Sequence, residues 1–218
     1  MVTAARTPDD GERSLTLFAV EQGMPGYSCG RKLDKSGQHE ADTAELFFED
    51  VRVPAENVIG EVGRGFQAMM ERLPLERLGS AAGNVAHAAN ALELTLEYAR
   101  ERHAFGQPIG SFGANRFLLA ELVTMVDVTQ AYVDQCLAEH VEGRLDPIAT
   151  AKAKWWSADV QNRVIDACVQ LFGGYGYMTE YDVARAWSDA RVTRIWAGSN
   201  EIMKELIGRS LGLGAPRG

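Results

Sequence analysis

The sequence predicts a mainly α protein: a C-terminal helical bundle of the up-down four-helix type, preceded by a partial antiparallel β domain. Three observations carry this. Strand-like runs are confined to residues 1–59. From Gly65 onward, apolar residues recur at spacings of three and four, the period of one helix face. Brief Gly- and Pro-containing breaks separate these long stretches, which favours antiparallel helical neighbours. With 218 residues and 46% hydrophobic content, the chain suffices for one core and a small second lobe.

In chain order, SLTLFAV (14–20) reads as a strand that ends at the turn cluster EQGMPGYS. ADTAELFFEDVRVP (41–54) holds a second strand, alternating loosely around Leu46, Phe47, Val51 and Val53. Two or three strands do not make a stable sheet alone, so residues 1–59 read as half of a β domain. GFQAMMERL (65–73) is a short helix that stops at Pro74, and Pro74 opens the next one, where its missing N–H costs nothing. That helix runs to about Ala104 with Leu78, Ala82, Val85, Ala89, Leu92, Leu96 and Ala99 on one face. FGQPIGSFG (105–113) is a loop. A helix over about 114–142 turns Leu118, Leu122, Met125, Thr129, Tyr132 and Cys136 inward. GRLDP (143–147) breaks it, with Asp146 as N-cap and Pro147 at the first helical position. The following helix presents Ala149, Ala153, Trp156, Val160, Val164, Ala167 and Leu171, and stops at GGYGYM (173–178). Short helices around 181–191 and 199–211 complete the chain.

Composition removes several classes of function. The net charge is −8 and no Lys/Arg cluster alternates with aromatic residues, so no nucleic-acid face is expected. No apolar run reaches membrane-spanning length, and the start MVTAARTPDDGERS has no apolar signal core, so a cytoplasmic protein is expected. The three cysteines, Cys29, Cys136 and Cys168, form no CxxC pair and read as reduced, buried thiols. His39, His87, His103 and His140 pair with no other ligand at metal spacing, so no metal site is expected. GEVGRG (60–65) has its glycines out of step with a dinucleotide-binding loop.

Four stretches remain: LPLERL (73–78), RERHAFGQPIG (100–110), QLFGGYGYM (170–178) and RIWAGSNEIMKELI (194–207). Singly, each is also explained by helix-end chemistry. Glu76 in a first turn complements the helix dipole, and Arg100 and Arg102 complement a C-terminus. GGYGY serves as a C-cap and turn, and Ser199 as an N-cap.

Together, in order and wording, these stretches resemble the C-terminal half of the acyl-CoA dehydrogenase family, and within it the long-chain enzymes. The phrases are GRKLDK, DTAELFFEDVRVPA, LPLERL, RHAFGQPI, CVQLFGGYGYM and GSNEIMKELI, and they cover nearly the whole chain. The resemblance implies FAD-dependent α,β-dehydrogenation of a fatty acyl-CoA to the trans-2-enoyl-CoA. It implies an electron-transferring flavoprotein as acceptor and a homo-oligomer, dimer or tetramer. Many members carry the catalytic base in a Tyr-Glu-Gly-Thr phrase before the last helix. Here that place reads Trp196-Ala197-Gly198-Ser199, and alanine accepts no proton. The long-chain and isovaleryl-type branches put the base on the long helix just before an arginine, a place matched by Glu76-Arg77. Glu76 is therefore the implied base. Its carboxylate is expected in an apolar pocket that raises its pKa. Leu73, Arg77, Ala197 and Gly198 are the implied substrate contacts, with the Ala197 main-chain N–H donating to the thioester oxygen. The implied FAD contacts are Arg102, Phe105, Gln170, Gly173, Gly174, Ser199 and Glu201, with Arg102 on the pyrophosphate of a cofactor held mainly by a partner subunit.

The sequence departs from the family pattern twice. Phe112-Gly113-Ala114 stands where Phe-Gln-Ala is frequent, which removes one adenine-side amide. The second departure is one of extent. The resemblance assigns residues 1–59 to the second half of the middle β domain and 60–218 to the C-terminal bundle, with the N-terminal helical domain absent. A non-catalytic helical oligomerisation module that complements another acyl-CoA dehydrogenase chain is therefore the alternative function.

Overall fold

The computed structural model describes residues 1–7 and 14–213. The end of the assigned bundle, 214–218, lies outside them. The chain divides into two compact units, Met1–Leu73 and Pro74–Gly218.

In the first unit, β1 (Val2–Arg6), β2 (Leu15–Ala19) and β5 (Val58–Ile59) form an antiparallel sheet in the order β1-β2-β5. β3 (Tyr27–Lys32) and β4 (Ala44–Phe48) form a separate antiparallel pair. The expected strands correspond to β2 and β4; β1, β3 and β5 were not anticipated. YSCGRK lacks the β-branched residues that mark a strand, and forms one because β4 pairs with it. Tyr27 also packs on Phe48 at a centroid distance of 5.2 Å. Gly26 makes the entry possible: at φ +86° an added Cβ would lie 2.0 Å from the Glu49 carbonyl oxygen. The unit buries little. Thr16 is fully enclosed, its Oγ1 2.9 Å from the Gly63 N–H, and Leu17 and Val20 supply the buried apolar surface. Leu46, Phe47 and Phe48 of β4 stay exposed.

α1 runs from Gly65 to Glu101 without interruption, with Pro74 inside it. This overturns the expected break at Pro74. Proline at the head of a new helix and proline inside one read alike when good helix formers flank it, and the cost is the donor lost to the Met70 carbonyl. The division at Leu73/Pro74 falls beyond the texture change at residues 59/60. The reason is local: Gly65 sits so close to β2 that an added Cβ would lie 2.8 Å from the Leu15 carbonyl oxygen, which ties the first turns of α1 to the strands. After Glu101, residues expected to be helix and loop form a hairpin, β6 (His103–Ala104) with β7 (Gln107–Pro108). Phe105 (φ +52°) and Gly106 (φ +84°) supply the two left-handed residues of its turn.

The second unit adds α2 (Gly113–Val141), α3 (Pro147–Phe172), α4 (Asp182–Ala190) and α5 (Asn200–Ser210) to α1. Its core joins Leu78, Val85, Leu92 and Ala99 of α1 to Leu122, Val126 and Val133 of α2, Val160, Val164 and Cys168 of α3, and Val183 of α4. Leu122, Thr129 and Cys136 of the expected α2 stripe are buried, but Leu118, Met125 and Tyr132 are only half-buried, and Leu119, Val126 and Val133 complete the inner face instead. Asp146 caps α3 as expected, accepting the Ile148 N–H at 2.9 Å. α3 is buried on more than one face because α2, α4 and α5 all pack on it. Cys136 and Cys168 are buried thiols, but Cys29 is exposed on β3, against expectation. No helix among the described residues is long and apolar enough to cross a membrane.

Candidate active site

The expected site residues separate into two groups at opposite ends of α3. The first surrounds Lys154. The second surrounds Gly173, 19 residues further on, or about 28 Å at the rise of 1.5 Å per residue.

The first group is built where the loop before α5 meets α3. Ala197 (φ +50°) and Gly198 (φ +86°) are consecutive left-handed residues. Ser199 then caps α5, its Oγ accepting from the Ile202 N–H. Beneath the loop lies Lys154, wholly buried, whose Nζ donates to the Gly198 carbonyl at 2.6 Å and to Asn200 Oδ1 at 3.3 Å. Asn200 Nδ2 donates to Asp159 Oδ1 at 3.0 Å, and Asp159 accepts from Arg194 Nε at 2.7 Å. Burial pulls the Lys154 ammonium down to about 8. Glu201 and Asp159 pull it back up, and Arg77 adds to the fall. Arg77 is itself buried, and its Nε has no hydrogen-bond partner. Desolvation lowers its pKa, while Glu76 opposes that shift. Glu201 of α5 and Arg77 of α1 thus act in opposite directions on the buried Lys154 of α3. Glu201 is exposed, and its carboxyl is held low first by its own backbone N–H and then by the Ser199 hydroxyl.

Glu76 takes an exposed position. The apolar pocket expected around it is not formed by the described residues. Position 76 lies in the turn that buries Arg77 and Leu78, and a helix that turns two successive side chains inward turns the preceding one out. Leu73 is half-buried and belongs to the first unit.

The second group lines a hollow of about 660 Å³ that includes Tyr98, Arg102, Phe172, Gly173, Gly174 and Tyr175. Tyr98 stacks on Phe172 with centroids 4.1 Å apart, and the Arg102 guanidinium lies 5.7 Å from the Tyr175 ring centre. A Cβ added at Gly173 or Gly174 would meet nothing within 4 Å, so backbone is open to approach there. Gly173 ends α3 at φ +61°, its N–H bonded to the Gln170 carbonyl. The Gln170 side chain is exposed. Phe105, at the hairpin tip, is 96% exposed.

Lys154 and Asn200 were missed in the sequence. The expected inner stripe of this helix ran through Ala153 and Trp156, yet Ala151, Lys154, Ala158 and Ile165 form a second stripe at helical spacing, and all four are buried. That second stripe was the available signal. No group of three or more His, Cys, Asp or Glu close enough to hold a metal ion occurs among the described residues.

A helical bundle whose long helices carry an arginine–glycine hollow at one end and a lysine-pinned loop at the other defines the class, and comparison with known proteins identifies it. Residues 63–212 match the family described as acyl-CoA dehydrogenase, C-terminal domain, and the chain belongs to the acyl-CoA dehydrogenase family. It is 48% identical over 207 residues to a long-chain specific mitochondrial acyl-CoA dehydrogenase of Sus scrofa, which covers 95% of this chain and 47% of that protein. A crystal structure of an acyl-CoA dehydrogenase from Geobacillus kaustophilus superposes with a TM-score of 0.93 at 42% identity, over 96% of this chain and 56% of the other. A structure titled PigA with FAD and proline superposes at 0.90 with 27% identity, over 97% and 56%. The chain spans about half the length of the relatives it matches.

Proposed function

We propose that this chain carries the substrate-side half of a flavin-dependent acyl-CoA dehydrogenase. Glu76 removes the α proton of the acyl thioester, and the Ala197 N–H donates to its carbonyl oxygen. One observation carries the reading: the buried Lys154 ties the Ala197–Gly198 loop to α3, and the loop residue is an alanine that leaves the proton-accepting role to Glu76. Because Glu76 is exposed, its basicity towards a carbon acid depends on cover. A bound acyl chain supplies that cover and disfavours the charged carboxylate. The buried Arg77 guanidinium sits beside it as a fixed charge.

The residues present fit FAD. Arg102 offers a pyrophosphate a guanidinium, Gly173 and Gly174 offer open backbone, and Phe105 offers an exposed ring. Bound FAD would supply the acceptor for the β hydride. The separation of the two groups along α3 supports the view that the Arg102 group serves a cofactor seated in a second subunit. The same reading makes the working form a homo-oligomer, with an electron-transferring flavoprotein as acceptor.

The test is anaerobic titration of the FAD-loaded protein with acyl-CoA, followed by flavin bleaching. Wild type bleaches and Glu76→Gln does not, with the same helical signal. Full bleaching by Glu76→Gln would reject the base assignment. The exposed Phe47, Phe48 and Phe105 favour a second reading, a non-catalytic module that docks on another dehydrogenase chain. Colourless protein at every FAD concentration, with a stable oligomer by light scattering, would select it.

A further inference from the structure

We propose that Lys154 is a positioning residue: its buried ammonium clamps the Gly198 carbonyl and thereby fixes the direction in which the Ala197 N–H points.

Ala197 holds φ +50° although it carries a Cβ, an uncommon conformation that relaxes unless its surroundings enforce it. The next residue, Gly198, is also left-handed. The Ala197 N–H lies on the peptide before this left-handed pair and the Gly198 carbonyl on the peptide after it, so a pair held at its far end has its backbone turn, and with it the direction of the N–H at its near end, restrained. The structure gives two restraints. On one side, Met203, itself fully buried, fills the space over Gly198, with Cε 2.6 Å from where a Cβ would stand. On the other, Lys154 Nζ bonds the Gly198 carbonyl at 2.6 Å.

The second restraint is unusual in kind. A wholly buried ammonium is costly unless its hydrogens are bonded. Here both acceptors, the Gly198 carbonyl and Asn200 Oδ1, belong to the loop and the first residue of α5. No carboxylate oxygen is among them. Asn200 is anchored to α3 a second time, through Asp159 and the Trp155 carbonyl. The charge therefore serves the loop. A lysine placed only to neutralise an acid would bond that acid.

That the Ala197 N–H meets a thioester oxygen rests on the function proposed above; the clamp itself rests on these bonds alone. The test is accordingly made on the free 218-residue chain, without flavin or substrate. In Lys154→Met, amide exchange at residues 196–200 accelerates ten-fold or more, while amides of Val160–Cys168 exchange no faster than in wild type. Loop exchange within two-fold of wild type would overturn the clamp. So would an acceleration of equal size along all of α3, which marks a merely structural lysine. Should Lys154→Met fail to fold, the wild-type protein decides. A slowly exchanging Lys154 ammonium with a scalar coupling across the hydrogen bond to the Gly198 carbonyl supports the clamp, and its absence refutes it. If exchange behaves as stated while Glu76→Gln still bleaches fully, the functional reading fails and the clamp stands.

Discussion

Gly198→Ala tests whether the loop before α5 is as tightly determined as its geometry indicates. Two costs add. An alanine at φ +86° enters the left-handed region, at roughly 1–2 kcal/mol. Its Cβ would also stand 2.6 Å from Met203 Cε, where carbon atoms pack at about 3.5–4 Å, so the methyl must retreat by about 1 Å. Met203 is fully buried, and overpacking of this kind costs about 1–3 kcal/mol, at the lower end for a flexible methionine. The sum is about 2–4 kcal/mol, or a fall in Tm of roughly 4–16 °C for a chain of this size. The two costs are separable by a double-mutant cycle with Met203→Leu, whose side chain lacks the terminal methyl. Thermal or urea melts of the four proteins, followed by helical signal, give the coupling. Gly198→Ala should cost at least about 1 kcal/mol less in the Met203→Leu background. Equal costs in both backgrounds, within about 0.5 kcal/mol, would refute the steric contact. A total loss under about 0.5 kcal/mol would refute the backbone strain as well.

Three further outcomes follow from other positions. Gly113→Gln places a side chain where nothing lies within 4 Å, in the first turn of α2; it should raise stability by about 0.5–1 kcal/mol in a urea melt and, on the proposed function, tighten FAD binding by fluorescence titration. Asp146→Ala removes the oxygen that accepts the Ile148 N–H, and should cost about 1 kcal/mol by thermal melt. His87 gives a pH dependence: burial holds its imidazole below the ordinary range, and Gln161 Nε2 faces Nδ1 at 2.7 Å. Protonation would set donor against donor, and Gln161 is held in place because its Oε1 accepts from Thr193 Oγ1. The unfolded chain takes up the proton first. Stability from neutral His87 is thus complete above about pH 6.5 and is lost as pH falls towards the folded-state value, with a slope of at most about 1.4 kcal/mol per pH unit. His87→Gln should flatten that limb in melts between pH 5 and 7.

The bundle was legible because burial imposes a period. Leu78, Val85, Leu92 and Ala99 could be read inward from spacing alone, and each is buried. Asp146-Pro147 announced a helix start by local chemistry that needs no partner. What failed to show depends on contacts distant in sequence. β3 exists because β4 lies beside it, and the continuation of α1 through Pro74 reflects its flanks rather than the proline. Lys154 was hidden for a different reason. Its residue type argued for the surface, while its position, in line with Ala151, Ala158 and Ile165, argued for the core, and only the acceptors at Gly198 and Asn200 reconcile the two. Glu76 is the converse: family wording singled it out, but wording does not report exposure.

The division of site residues between the two ends of α3 bears on how such a half-length chain would act. Around Lys154, polar groups face inward, from ammonium to carbonyl and from amide and guanidinium to one carboxylate, and Arg77 Nε is a buried group without a partner. Around Gly173 the groups face outward: Phe105 stands 96% exposed on a strained turn, and the backbone of two glycines lies open. A preorganised interior suits a reacting carbonyl, which rewards donors that need not move. An outward-facing aromatic and an arginine beside open backbone suit a ligand that arrives already held by something else. The two ends therefore differ in what they require of their surroundings. The loop over Lys154 should keep its geometry in the isolated chain, whereas the Arg102 hollow should bind measurably only when a second body presents its ligand.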